Sequence, residues 1–163
     1  MVKFSARIFI SCLLFASFLS LCAFDFGSNK YENKQAPEFS LQDLSGKDVS
    51  LKDFQDKAVI LFFWTTSCPH CRRQIWLLNE EYENMKSSGI VLLAININEP
   101  QSRVKKFIDS YSITYPVLLD YDGSVAYEYG IMVIPTLVFI SKDRKIKSVS
   151  NSFSDKYQQI LSD

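Results

Sequence analysis

The chain has 163 residues, a length typical of one compact domain. Hydrophobic residues make up 47% and charged residues 22%, with only 5 Gly and 5 Pro, so disordered, collagen-like and low-complexity classes are excluded. Lys and Arg together number 18, as do Asp and Glu, and no run of five like charges occurs, which disfavours a nucleic-acid partner. Four cysteines are too few for a disulfide scaffold in a chain of this length.

The first 24 residues have the pattern of an export leader. Lys3 and Arg7 precede an apolar stretch over 8–24 in which the only polar residues are serines. Three interpretations stay open: a cleaved signal peptide, a lipoprotein leader whose Cys22 carries the lipid, and an uncleaved membrane anchor near the lower length limit for spanning a bilayer. Each of them predicts that the rest of the chain lies outside the cytoplasm, in the periplasm of a bacterium.

After the leader, a polar segment over 25–35 is predicted to be a tether, and 36–163 to be the domain. The domain opens with apolar and polar residues that alternate from Phe39 to Leu51 around the turn Ser45-Gly46-Lys47. This pattern is typical of a β-hairpin.

A buried strand and a long helix are predicted next. Ala58–Trp64 is continuously apolar and rich in Ile, Val and Phe, which predicts the central strand of a mostly parallel sheet. Apolar residues then recur at steps of three and four, and Gly89 follows the last of them, so an amphipathic helix is predicted over 69–87.

The second half continues to alternate strands and helices. A strand over 90–97 precedes a helix that Ser102 is expected to cap. Shorter elements follow, in chain order: a strand over 117–119, a helix over 124–129, strands over 137–140 and 145–149, and a last helix ending at Leu161. This order predicts an α/β fold in which helices cover both faces of a central sheet.

The sequence Cys68-Pro69-His70-Cys71 stands where the buried strand passes into the long helix. Two intervening residues let both sulfurs meet on one helical turn, and Pro69 near the helix start loses only an amide that had no partner. Helix amides, together with a protonated His70, would stabilise a thiolate on Cys68, which is therefore the predicted nucleophile. Cys71, one turn into the helix, is the predicted resolving thiol.

Other interpretations of these residues are weaker. A zinc site needs a second pair of ligands, but no cysteine follows Cys71 and His70 is the only histidine. A purely structural disulfide would close so short a loop that it constrains the unfolded chain very little. For Trp64, a core position and a role in shaping the rim of the active site stay equally open.

The segment from Phe63 to Cys71 resembles the active-site segment of the thioredoxin superfamily, in particular of its exported TlpA/ResA-like branch. The resemblance extends over about 36–150. It implies a thioredoxin fold, with a central mixed sheet flanked by helices and an added N-terminal β-hairpin. It also implies that Pro135 is a cis-proline facing the two cysteines, and that the backbone of Ile134 contacts an incoming cysteine-containing peptide.

The sequence departs from the superfamily pattern at several positions. Phe62 stands where thioredoxin has a buried Asp, and Gln74 where many ResA-like proteins have Glu. Proton transfer to and from Cys71 would then rely on water or on Lys57. The Pro-His dipeptide resembles that of the oxidase DsbA, whereas the scaffold resembles reductants, so the direction of the reaction stays open.

The resemblance predicts an exported thiol–disulfide oxidoreductase that needs no cofactor and no metal. Its partners would be cysteine-containing exported proteins and a membrane or periplasmic redox protein. A peroxiredoxin-like thiol peroxidase is one alternative, because Thr65 lies three residues before Cys68. A copper-binding protein of the same fold that is not an enzyme is another, although the chain offers no second histidine.

Overall fold

The computed structural model of the chain describes residues 31–162. The predicted leader over 1–24 and most of the predicted tether lie outside the described residues. Within 31–162 no helix is both long enough and apolar enough to cross a membrane.

Seven strands form one mixed sheet in the order β2-β1-β5-β4-β3-β6-β7. The strand bounds are β1 Ser40–Asp43, β2 Asp48–Ser50, β3 Val59–Trp64, β4 Val91–Ile97, β5 Val117–Asp120, β6 Thr136–Ile140 and β7 Ile146–Ser150. Strands β3, β4 and β5 are parallel, and the remaining neighbours are antiparallel. The strand predicted as central is β3, which lies inside the sheet between β4 and β6 and has all six residues buried.

Helices cover both faces of the sheet. Their bounds are α1 Pro69–Ser87, α2 Gln101–Tyr111, α3 Ser124–Glu128 and α4 Tyr157–Ser162. On one face, α1, α2 and α4 pack over a core that includes Phe62 and Trp64. On the other face, α3 packs over Leu61 and Phe63. Successive β3 side chains point to opposite faces, so this one strand contributes to both cores.

Two local predictions are wrong. The alternating pattern predicted that the hairpin continues to Leu51, but Leu51–Phe54 forms a 3-10 helix. Ser50 caps this helix, accepting from the amide of Lys52, while the Asp53 carboxylate accepts from the amide of Ser50. Such reciprocal capping satisfies two backbone donors and ends the strand.

The second wrong prediction is the cap of α2. The helix begins at Gln101, and Ser102 lies inside it. Pro100 occupies the N-cap position with an extended backbone, and no side chain caps the helix. Proline suits a helix start because its missing N–H would have had no partner there.

The segment before β1 is attached to the turn between β6 and β7. The amides of Asn33 and Ala36 donate to the carbonyls of Ile146 and Arg144. The side chain of Arg144 reaches back, donating to the carbonyl of Leu51 and pairing with the Glu38 carboxylate. The last five residues of the predicted tether are therefore held against the domain.

Tyr129 makes a further connection to this segment. Its ring is 2% exposed and packs against Phe39 and Phe63, with ring centroids 6.4 and 5.7 Å away. Its hydroxyl donates to the carbonyl of Pro37 over 2.7 Å. The start of the domain is thus tied to the core on the α3 face.

Candidate active site

The two cysteines of the Cys68-Pro69-His70-Cys71 sequence are joined in a disulfide, with their Cα atoms 5.3 Å apart. Cys68 is the N-cap residue of α1, and Pro69 is the first residue of the helix. The amide of Cys71 donates to the Sγ of Cys68 over 3.1 Å. A helix N-terminus presents amides that lack an intrahelical partner, so this contact is aimed at the atom that becomes negative in a thiolate.

The two sulfurs differ in access to solvent. Cys68 is 8% exposed, whereas Cys71 has no exposed surface. The side chain of His70 lies between them in sequence and is exposed, as are those of Arg72 and Arg73. The first turn of α1 carries no acidic residue. An attacking or leaving group can therefore reach Cys68 but not Cys71.

The Ile134–Pro135 peptide bond is cis, as the resemblance implied. Pro135 lines one groove together with His70, which brings these two predicted site residues to a common surface. Asn151 stabilises the loop, because its Nδ2 donates to the carbonyl of Pro135 over 2.9 Å and lies 3.1 Å from Oγ1 of Thr136.

An exposed apolar surface adjoins Ile134, the residue before Pro135 in the same loop. Met132 is 91% exposed, Val133 60% and Tyr127 86%. These three side chains and Ile134 line a second groove. Exposed apolar clusters of this kind are typical of interaction surfaces, and this one lies beside the predicted peptide contact.

Trp64 does not lie on the rim. Its side chain has no exposed surface and packs between Phe62 and Phe107, with ring centroids 6.4 and 5.2 Å away. In this arrangement it cannot touch a bound substrate, contrary to one of the two expectations. It supports the end of β3, from which the cysteine segment departs.

The structure shows the burial and contacts of the residues that depart from the superfamily pattern. Phe62 is fully buried and its ring is parallel to that of Trp64. Gln74 is 7% exposed, and its Oε1 accepts from the amide of Phe153 over 2.7 Å. Lys57 is exposed and precedes β3 at the end opposite the cysteines, so its proposed part in proton transfer to Cys71 is wrong.

Glu99 is a residue of this region that was not among the site residues predicted from the sequence. This residue follows β4 and is only 7% exposed, and its carboxylate accepts from both the amide and the hydroxyl of Thr66 over 2.6 Å each. The predicted parallel arrangement of the two strands could have pointed to Glu99. Because β3 and β4 are parallel neighbours, residues just after each strand meet at the same edge of the sheet.

Within 31–162 no group of three or more His, Cys, Asp or Glu side chains is arranged to hold a metal ion. The chemically reactive part of the described site is the dithiol itself. A dithiol at a helix N-terminus, with one accessible and one buried sulfur, is the arrangement that thiol–disulfide exchange requires.

The fold and the dithiol together define a thioredoxin-like protein. A solved structure with this fold is the thioredoxin domain of a thiol-disulfide oxidoreductase from Bacteroides vulgatus, which is 25% identical with a TM-score of 0.73 and covers 82% of this chain and 98% of that one. StoA from Bacillus subtilis, also 25% identical, has a TM-score of 0.65 and covers 78% of this chain and 96% of its own.

The model of the AhpC/TSA family matches residues 33–149, and the chain belongs to this family. Among curated relatives, the thiol-disulfide oxidoreductase ResA of Bacillus thuringiensis is 38% identical over 113 residues, covering 69% of this chain. ResA of Bacillus subtilis is 35% identical over 118 residues, covering 72% of this chain. The chain spans 65% and 66% of the length of these relatives. The resemblance to the ResA-like branch is thereby confirmed.

Proposed function

We propose that this protein is a thiol–disulfide oxidoreductase that exchanges disulfides with cysteines of client proteins through Cys68 and Cys71. The observation that carries the proposal is the contact from the Cys71 amide to the Sγ of Cys68, 3.1 Å long, at the start of α1. The ResA relatives, themselves named thiol-disulfide oxidoreductases, support it.

In the reducing direction, the Cys68 thiolate attacks one sulfur of a client disulfide. A mixed disulfide forms and the other client sulfur leaves as a thiolate, which takes up a proton. The Cys71 thiol loses its proton and attacks the Sγ of Cys68, which forms the Cys68–Cys71 disulfide and releases the reduced client. Two electrons pass from the dithiol to the client, and the oxidising direction is the same sequence reversed.

The loop containing Ile134 and Pro135 is proposed to bind the client next to the reacting sulfur. A client segment would be extended and would pair with the backbone of Ile134, while its side chains enter the grooves on the two sides. His70 contributes positive charge beside the Cys68 thiolate when protonated, and Pro69 sets the start of the helix.

Exchange of Cys71 and Cys68 by serine tests these roles. Cys71→Ser should accumulate a mixed disulfide between Cys68 and a model disulfide peptide, because the resolving thiol is lost. Cys68→Ser should show no exchange, and Cys22→Ser in the unprocessed full-length chain serves as the matched control with wild-type rates. Release of product by Cys71→Ser as fast as by wild type, measured by insulin reduction, would show that the roles are assigned wrongly.

The reduction potential of the Cys68–Cys71 pair is proposed to be more oxidising than that of thioredoxin. The helix amides and His70 stabilise the thiolate, and a stabilised thiolate favours the reduced dithiol over the disulfide. Equilibration with a glutathione buffer measures this for wild type and His70→Ala. A potential near that of thioredoxin, about −270 mV, and unchanged in the variant would contradict it.

The protein is proposed to act outside the cytoplasm, in the periplasm, on exported cysteine-containing proteins and with a membrane or periplasmic redox partner. The basic and apolar pattern over 1–24 supports export by a signal peptide or a membrane anchor. Mass spectrometry of the mature protein distinguishes the forms. A chain starting at lipidated Cys22 indicates a lipoprotein, one starting at Ala23 a free periplasmic protein, and an intact Met1 the anchor.

A thiol peroxidase is the second candidate, supported by Thr65 three residues before Cys68. In the structure, Oγ1 of Thr65 lies 3.3 Å from Oγ of Ser67. Turnover of hydrogen peroxide at a rate matching that of disulfide exchange would favour this candidate. Slow turnover, with fast reduction of peptide disulfides, supports the oxidoreductase.

A further inference from the structure

Glu99 is a buried acid that the exchange chemistry described above does not use. Its Oε2 accepts from the amide of Thr66 and its Oε1 from the Thr66 hydroxyl, each over 2.6 Å. Thr66 belongs to the turn that leads from β3 into the cysteine pair. A residue 33 positions further along the chain thus holds this turn by two hydrogen bonds to a single carboxylate.

The surroundings of Glu99 keep it ionised. Nδ2 of Asn96 donates to its Oε2 over 2.8 Å, and the Arg103 guanidinium lies 3.7 Å from its Oε1. Burial by itself would raise the pKa of Glu99, but the hydrogen bonds from Thr66 and Asn96 and the charge of Arg103 hold it below its usual value. The guanidinium is 62% exposed, so solvent screens much of its positive charge.

The carboxylate is close enough to Cys68 to influence its charge. Thr66 precedes Cys68 by two residues, which span at most about 7 Å. The carboxylate bonded to Thr66 is therefore on the order of 10 Å from the Sγ of Cys68. This distance is comparable to the Debye length of about 8 Å at physiological salt, and because Glu99 is buried its charge is screened less than that of a surface group. The charged or titratable groups near Cys68 are thus of both signs: the exposed His70, Arg72 and Arg73 at the start of α1, Glu99 after β4, and Arg103 in the first turn of α2.

We propose that Glu99 is a positioning residue that holds the Thr66 turn in front of Cys68 and that its charge disfavours the Cys68 thiolate, moderating the oxidising power of the dithiol. The inference rests on the proposed function in taking Cys68 as the reactive sulfur. The Glu99 carboxylate then opposes the stabilisation of the Cys68 thiolate by the helix amides and His70.

Glu99→Gln separates charge from contact. The glutamine oxygen can accept from the amides of Thr66 and Asn96, and its NH₂ can donate to the hydroxyl of Thr66, so all three contacts are retained. One charge removed at about 10 Å, in a medium of effective dielectric about 20 to 40, should lower the Cys68 pKa by about 0.6 to 1.2 units. The equilibrium constant with glutathione, above that pKa, should shift about four- to fifteenfold toward the reduced dithiol.

The pH profile of iodoacetamide alkylation of the reduced full-length protein measures this pKa, with peptide mapping to assign the modified cysteine. Thr66→Val is the structural control, because it removes one contact to Glu99 and retains the carboxylate. It should lower stability while leaving the Cys68 pKa within about 0.2 units of wild type. Arg103→Gln, at an exposed position, removes a positive charge and should raise the Cys68 pKa by a few tenths of a unit. This shift has the opposite sign to that expected for Glu99→Gln, and it can be measured even if Glu99→Gln does not fold.

A Cys68 pKa that stays at the wild-type value in Glu99→Gln, or that moves equally in Glu99→Gln and Thr66→Val, would overturn the proposal. If Glu99→Gln does not fold, an unchanged or lowered Cys68 pKa in Arg103→Gln would do so. Failure of the proposed function has a different signature, because wild type would then show no exchange with disulfide peptides while the cysteine titration still reports the effect of Glu99.

Discussion

Replacing Arg144 by methionine is expected to lower the free energy of unfolding by about 2 to 3 kcal/mol. The Arg144 side chain is 13% exposed and joins three parts of the chain: the turn between β6 and β7, the carbonyl of Leu51 and the Glu38 carboxylate. Methionine keeps a similar apolar stem but makes neither polar contact. Its backbone would have the same left-handed φ, 69° for Arg144, so the variant isolates the side-chain contacts.

The magnitude follows from the two lost contacts. A hydrogen bond from a charged donor contributes about 1.5 to 3 kcal/mol, and its loss leaves the Leu51 carbonyl without this partner. The ion pair adds at most about 1 kcal/mol, because Glu38 is 46% exposed and solvent screens its charge. Retained burial of the stem offsets part of the loss. At roughly 4 °C per kcal/mol for a domain of this size, Tm should fall by about 8 to 12 °C.

Urea unfolding followed by tryptophan fluorescence measures the change, and Lys145→Gln is the matched control. Lys145 forms an exposed ion pair with Asp143 over 3.0 Å, so its loss should cost less than about 0.5 kcal/mol. Disulfide exchange by the folded variant should be unchanged, because the Arg144 turn lies at the end of β6 opposite Pro135. A loss for Arg144→Met no larger than that for Lys145→Gln would show that the contacts of Arg144 with Leu51 and Glu38 do not stabilise the fold.

Three further outcomes are expected. Tyr129→Phe should lower the free energy of unfolding by about 1 kcal/mol, since one buried hydrogen bond is lost, while Tyr127→Phe, at an exposed position, should change it little in the same urea titration. Asn151→Ala should reduce kcat/KM for a disulfide peptide several-fold with the Cys68 pKa unchanged, because the hydrogen bond that holds the carbonyl of Pro135 is lost. A wild-type kcat/KM would contradict this. Because the pKa of Glu99 is lowered on folding, the Glu99 carboxylate contributes to stability above its unfolded-state pKa, and this contribution is lost as the pH falls through its folded-state pKa. If Glu99→Gln and wild type lose stability with the same slope in the acid range, the carboxylate does not contribute to this pH dependence.

Much of the fold follows from local patterns. The bounds of α1, predicted over 69–87, agree with the structure, because the apolar spacing is regular and the two ends are marked by Pro69 and Gly89. The strand over 58–64 was recognisable because burial on both faces leaves no polar position in it. Capping was harder to predict. Ser50 and Asp53 have the spacing of a capping box, but the alternating apolar residues continue to Leu51 and favour a strand where the helix begins.

The candidate site likewise has parts that can be predicted from local sequence and parts that cannot. The cysteine pair and its place at a helix start are sequence-local, and the cis-proline came only from resemblance. The contact between Glu99 and Thr66 joins residues 33 positions apart and depends on which strands are neighbours, so no periodicity predicts it. The burial of Trp64 is also non-local, because it depends on how Phe107 of α2 packs over the sheet.

The complete burial of Cys71 restricts the order in which partners can react. Neither a client nor a redox partner reaches its sulfur, so under the proposed exchange every electron pair enters and leaves through the single accessible sulfur of Cys68. Both kinds of partner must then occupy the same surface, one after the other. The protein should follow ping-pong kinetics, with parallel double-reciprocal lines when the client concentration is varied at several partner concentrations, and an excess of either partner should inhibit the other competitively.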